Sequence, residues 1–241
     1  MKDKVAAIIL AAGKGTRMKS DLPKVMMPVL EKPMIRYIID TLESTGIKDI
    51  ISVIAPDGDM VREEVRPYKT AVQTRQLGTA NAALAAKEEL KSFEGVVLVM
   101  FGDNPAISKE VILKVIEKVR SGYTVVTLAV KPEYENRYGR LKTDGDDLIS
   151  IIEYKDATEE ERKIPLCNSD LMAFDGKQIF SLLEAVGNEN ASGEYYLTSV
   201  IEVARNFGLK CSYVINTDAI AGANTRADIA LLEEFFRKKG C

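Results

Sequence analysis

The chain has 241 residues, with 33 Lys and Arg against 36 Asp and Glu, and its formal net charge of −3 gives no overall basic field for nucleic acid. It contains no histidine, which excludes Ser-His-Asp and Cys-His nucleophiles and histidine metal sites. Its three cysteines (Cys167, Cys211 and Cys241) are widely spaced, no apolar run is long enough to span a membrane, and no secretory cleavage pattern opens the chain, so reduced thiols, a cytoplasmic location and no membrane partner are expected.

Val5–Leu10 is an apolar run without polar alternation, the pattern of a strand buried on both faces. Small residues, two glycines and the cations Lys14, Arg17, Lys19 and Lys24 follow. Glycines let backbone N–H groups converge on one point, and such an array binds anions, so the segment reads as a polyphosphate cradle. A P-loop or dinucleotide fingerprint would need a small residue where Met18 stands.

Met34–Thr45 has helical apolar spacing, with Pro33 in its first turn and Gly46 at its end. Further on, strands are expected at Ile50–Ala55, Thr70–Gln73, Val96–Phe101 and Tyr123–Val130, and helices at Met60–Arg66, Thr79–Leu90 and Lys109–Arg120. This alternation predicts a parallel sheet covered on both faces. The second half is more mixed. A hairpin turns around Asp144-Gly145 between Gly139–Thr143 and Leu148–Glu153, and Asp156–Lys163 is a charged loop or short helix. Strands at Leu166–Phe174 and Lys210–Ile215 and helices at Gln178–Ala185, Tyr195–Asn206 and Arg226–Lys239 complete the chain. The expectation is one α/β domain over 1–241, with the site between its halves at the carboxyl ends of strands.

Without histidine, chemistry falls to carboxylates, lysines, amides, hydroxyls and a hard cation. A phosphate monoester attacking a phosphoanhydride suits this set, because its nucleophile is already ionised. Asp103, after the strand that ends at Phe101, is either a magnesium ligand or a turn residue before Pro105. Gln73, Gly78 and Thr79 lie between a strand and an alanine-rich helix. There a Gln amide can pair with the imide edge of a pyrimidine, Gly78 admits close approach, and Thr79 can cap the helix. Asn224 reads first as an N-cap of the last helix, and Glu153 and Asn168 are polar residues where the strand pattern allows apolar ones.

Together, Ala6–Lys24, Gln73–Ala80, Phe101–Pro105, Tyr138–Leu141, Ile152–Thr158, Asn188–Ser199 and Gly222–Arg226 resemble the uridylyltransferase domain of bacterial N-acetylglucosamine-1-phosphate uridylyltransferases, in order and over nearly the whole chain. The resemblance implies a Rossmann-like fold, a mostly parallel mixed sheet with helices on both faces, of the nucleotide-diphospho-sugar transferase kind. It divides the domain into a nucleotide-binding half, 1–130, and a sugar-binding half, 131–241. It implies that Leu10, Ala11, Ala12 and Gly13 line the nucleotide, with the catalytic Arg17 and Lys24 on its phosphates. Gln73, Gly78 and Thr79 would hold uracil, and Asp103 and Asn224 would hold Mg²⁺. Gly139, Glu153, Asn168, Tyr196 and Thr198 would contact the amino sugar.

The implied reaction is UTP plus N-acetylglucosamine 1-phosphate giving UDP-N-acetylglucosamine and pyrophosphate. The alternative is another sugar 1-phosphate or alcohol phosphate, with this or another nucleotide. The partners implied are UTP and a sugar 1-phosphate, in a monomer or small homo-oligomer. Phe101 stands where the family has Tyr, Met26-Met27 where it has Leu-His, and Ser169-Asp170 where Thr-Gly follows Asn168. The bifunctional members continue into a hexapeptide-repeat β-helix. This chain carries no such repeats, so neither acetyl transfer nor that kind of trimer is expected. The last helix, with Phe235 and Phe236, is expected to dock on its own domain or on another copy.

Overall fold

The computed structural model describes residues 4–13, 15, 18, 20–217 and 222–240. Strand β1 (Val5–Leu10) leads through the cradle and a 3-10 turn (Lys24–Met26) to a short hairpin, β2 (Pro28–Val29) and β3 (Lys32–Pro33). Helix α1 (Met34–Ser44), β4 (Asp49–Ile54), α2 (Asp59–Glu64) and β5 (Lys69–Val72) follow. Next come α3 (Thr79–Leu84), α4 (Lys87–Leu90), β6 (Val96–Phe101), α5 (Lys109–Arg120) and β7 (Val125–Val130). The rest comprises β8 (Arg140–Asp144), β9 (Asp147–Ile152), α6 (Glu159–Arg162), β10 (Cys167–Asp175), α7 (Ile179–Glu184), α8 (Val200–Asn206), β11 (Cys211–Asn216) and α9 (Arg226–Lys238).

Among the described residues nine strands form one sheet in the order β5-β4-β1-β6-β10-β7-β11-β9-β8. β5, β4, β1 and β6 pair in parallel, as do β7 and β11, whereas β10 runs antiparallel between β6 and β7. The mostly parallel mixed sheet expected from the resemblance is therefore present. The first half does not close on itself, however, because β10 from the second half separates β6 from β7. Period-2 patterning fixes which faces of a strand are buried but not which strand lies beside it.

The interior explains why β1 reads as apolar throughout. Ala6 and Ile8 face one core, shared with Ala80 and Ala83 of α3, Leu182 of α7 and Ile201 of α8. Ala7 and Ile9 face the other, shared with Ile38 and Leu42 of α1 and Ile112 and Val115 of α5. A third cluster joins α9 to the rest through Met18, Val29, Met34, Tyr37, Leu232 and Phe236. Met18 is fully buried there, which accounts for a bulky residue where other phosphate motifs have glycine. Phe236 stacks on Tyr37 of α1 with ring centroids 4.4 Å apart, so the last helix docks on its own chain.

Four local expectations are corrected. The Thr79–Leu90 helix breaks into α3 and α4 at Ala85–Ala86. The segment before α8 begins as a 3-10 turn, Leu197–Ser199. Pro33 precedes α1, with ψ 140, and closes the β2–β3 hairpin instead of lying in the first helical turn. The cap of α9 is Thr225, whose hydroxyl accepts from Asp228 N–H while the Asp228 carboxylate accepts from Thr225 N–H, a reciprocal capping box that leaves the Asn224 side chain for other contacts.

Candidate active site

Lys24, Asp103 and Asn224 meet from three separate parts of the chain. Lys24 opens the 3-10 turn that the buried Val25 anchors. Asp103 follows β6, whose end is tied to β1 by Gly102 N–H donating to Leu10 O at 2.9 Å. A Cβ on Gly102 would lie 2.7 Å from Val25 Cγ1 and 3.0 Å from Leu10 O, so glycine lets these segments close together. Asn224 is held beside them because Ala223 N–H donates to Asp103 O at 2.9 Å. The Lys24 ammonium pairs with Asp103 Oδ2 and donates to Asn224 Oδ1 at 2.8 Å. Two hard oxygens converging on one cationic point are the kind of protein donors that magnesium takes alongside phosphate and water.

Lys24 and Asp103 border a cleft of about 340 Å³, also lined by Leu10, Ala12, Gly13, Gln73, Gly78 and Thr79. Gln73, buried at the end of β5, donates from Nε2 to Gly78 O (3.2 Å) and Asn81 Oδ1 (3.0 Å). Gly78 has φ +122, and a Cβ there would come within 2.5 Å of Tyr195 O. Gly78, not Thr79, takes the cap position of α3. The Thr79 hydroxyl instead accepts from Leu197 N–H at 2.8 Å, tying this loop to the second half. Ala11 packs in the core beneath the cleft, and its N–H is committed to Val53 O. Arg17 lies outside the described residues.

The residues expected at the sugar form a second group. Thr198 Oγ1 donates to Glu153 Oε1 at 2.8 Å, and a Cβ on Gly139 would lie 3.5 Å from that same oxygen. Asn168 N–H donates to Gly139 O at 2.8 Å, and Asn168 Oδ1 accepts from Thr127 Oγ1 at 2.6 Å. Burial raises the Glu153 carboxyl above its ordinary range, and the Thr198 hydroxyl only partly offsets this. Burial likewise raises the Tyr196 phenol, which also feels Glu153.

Between the groups lies Asp170, in a β10 register irregularity between Asn168 and Met172, with φ +36. Its carboxyl is pushed up to about 7, first by burial and then by the Asp103 charge. In the sequence Asp170 stands out only as a departure from the family pattern, since nothing in its strand context distinguishes it. Gln76, whose Nε2 donates to Ala12 O at 2.7 Å, and Glu194, a lining residue, were also missed as site residues. Their signal was proximity to motifs already singled out.

Residues 7–141 match the MobA-like NTP transferase domain. The chain is 42% identical over 233 residues to the Bifunctional protein GlmU of Paramagnetospirillum magneticum, covering 95% of this chain and 52% of that protein. For the Bifunctional protein GlmU of Rhodospirillum rubrum the identity is 44%, again over 95% of this chain and 52% of the relative. For that of a Ruegeria species it is 43%, over 96% and 53%. The resemblance read from the motifs is borne out in these relatives, and the chain spans about half their length. With more than half of its residues matched to the family and the cleft at the carboxyl ends of β1, β5 and β6, the chain belongs to the MobA-like NTP transferase domain family.

Proposed function

We propose that the chain transfers a uridylyl group from UTP to N-acetylglucosamine 1-phosphate, giving UDP-N-acetylglucosamine and pyrophosphate, within one domain whose 1–130 half binds the nucleotide and whose 131–241 half binds the sugar. The observation that carries the reading is the convergence of Lys24 and Asp103, with Asn224 bonded to Lys24, beside a cleft that Lys24, Asp103, Gln73 and Gly78 line. With both Gln73 amide hydrogens engaged, Oε1 is left to accept from the base. Uracil offers an N3–H there, whereas cytosine offers another acceptor.

In this reading Asp103 and Asn224 hold Mg²⁺, which when bound supplies divalent charge to the phosphate oxygens. Lys24 then turns from its carboxylate partner towards the triphosphate. Arg17 is assigned to the same phosphates on the strength of the motif alone. Glu153, Asn168, Tyr196 and Thr198 orient the amino sugar, with Gly139 leaving room beside Glu153. The acceptor's phosphate oxygen attacks the α-phosphorus, the α–β anhydride bond breaks, and pyrophosphate leaves with the electron pair. The protein's contribution is alignment of two repelling anions and fixed positive charge, with no proton to move. Among the described residues no helix is long and apolar enough to cross a membrane. Cys167 and Cys211 are free and buried, which suits a reducing compartment, and we place the reaction in the cytoplasm.

The test is pyrophosphate release across a panel of UTP, CTP, dTTP and GTP with several hexose 1-phosphates and alcohol phosphates. The highest kcat/KM is expected for UTP with N-acetylglucosamine 1-phosphate. No turnover with that pair, alongside turnover with another, would transfer the assignment to the other acceptor or nucleotide.

A further inference from the structure

We propose that Asp170 is the second carboxylate of the divalent-cation site, completing with Asp103 and Asn224 a three-oxygen set. The inference rests on the reading of Asp103 and Asn224 as cation ligands and extends it to a residue from a different strand.

Placement comes first. A point one Cβ bond from Gly222 lies 3.3 Å from Asp103 Oδ1 and 3.3 Å from Asp170 Oδ2, so both carboxylates come together beside the backbone that leads to Asn224. Asp170 reaches there from the centre of the sheet only because β10 is irregular at that point. Its φ of +36 is a conformation that a side chain bearing a Cβ rarely adopts, and such strain tends to gather where a residue is held for a purpose.

Charge comes second. Two carboxylates at this separation repel strongly in a partly desolvated cleft. Among the described residues the cation pairing with Asp103 is Lys24, a single positive charge. A divalent ion balances both carboxylates and frees Lys24 for phosphate.

The third observation is an orphaned atom. Asn104 is buried, and its Nδ2 donates to Asp170 Oδ2 at 3.3 Å. Its Oδ1 is buried with no partner among the described residues. A buried amide oxygen normally finds a donor, and a water carried by the cation would supply one beside Asp170.

The experiment is a Mn²⁺ titration followed by electron paramagnetic resonance, with a non-hydrolysable UTP analogue present. Wild type, Asp170→Asn, Asp170→Gly and Asp103→Asn are compared, and thermal melts establish that each is folded. Asp170→Gly accommodates the positive φ and serves if Asp170→Asn folds poorly. Both Asp170 variants are expected to weaken Mn²⁺ binding about tenfold or more, the scale on which metal sites respond to loss of a supporting group. Wild-type affinity in the folded Asp170 variants, with affinity lost in Asp103→Asn, would overturn this inference and leave the Asp103 assignment standing. If wild type binds no more Mn²⁺ than the analogue alone, the cation-ligand reading itself is overturned.

Discussion

Asp103 and Glu153 are both carboxylates at the ends of strands, yet their surroundings give them opposite work. Asp103 is paired with Lys24, so it already faces a positive charge. Asp103→Ala should lower turnover by about a hundredfold or more, the scale of losing one group that stabilises transition-state charge. Circular dichroism should show the sheet intact, and a folded variant with wild-type kcat would remove Asp103 from the chemistry. Glu153 is instead half-buried without a basic partner among its hydrogen bonds, and desolvation raises its carboxyl. A group whose pKa is higher folded than unfolded contributes stability below its ordinary range and loses it as pH rises through the folded value. Glu153→Gln keeps an oxygen for the Thr198 hydroxyl but cannot ionise. Its stability relative to wild type should therefore rise as pH climbs above about 4.5, the ordinary glutamate value. Urea unfolding without substrate at several pH values measures this, and a difference that does not change with pH would contradict the burial argument. Lys24, Asp103 and Gln73 could be singled out from sequence because each sits in a motif whose chemistry is local. Asp170 could not, since its partner Asn104 is 66 residues away.

At the scale of elements, boundaries were legible where periodicity and punctuation agreed. β1, β6 and α5 have the limits that the apolar pattern predicts. The β2–β3 hairpin was not legible, because Leu30 and Glu31 both take positive φ in its turn, where Asn-Gly or Asp-Gly is the recognisable signal. The loop between β5 and α3 shows how one glycine sets a site. Gly78 O accepts from Gln73, and the neighbouring backbone interlocks with Tyr195 through Tyr195 N–H to Leu77 O and Ala80 N–H to Tyr195 O, both 2.9 Å. Gly78→Ala places a Cβ against the Tyr195 backbone at a φ that disfavours it, a strain of about 1–3 kcal/mol. The loop must shift, and Gln73 with it. The expected result is a KM for UTP raised about tenfold or more with a smaller change in kcat, since in the proposed reading this loop holds the base and Lys24 the phosphates. Unchanged KM would show that the base is not read from this loop.

For the whole molecule, the interleaving of β10 between β6 and β7 makes the two halves share one sheet, so the proposed nucleotide and sugar ends of the site rest on the same sheet. Asn224 is the exception. It hangs from the segment leading into α9, and α9 is held through the third apolar cluster, above all by Phe236 on Tyr37 and by the buried Leu232. Tyr37 is itself fixed by its hydroxyl donating to Val29 O at 2.8 Å. Docking of the last helix thus acts together with the Ala223 N–H bond to Asp103 O in placing Asn224, the proposed cation ligand. Phe236→Ala removes the stacked ring from a nearly closed site, and truncations of this kind cost about 3–5 kcal/mol. Because the two main cores flanking the sheet do not include Phe236, the loss should fall on α9 first. Hydrogen exchange should show faster exchange in α9, with β1 and β6 still protected, and turnover should fall in step with the fraction of undocked helix. Raising Mg²⁺ should restore part of both, since the ion binds only the docked form. Equal loss of protection in α9 and β1 would mean that the last helix belongs to the global folding unit, and that Asn224 is held in place by the fold as a whole and not by a separable docking step.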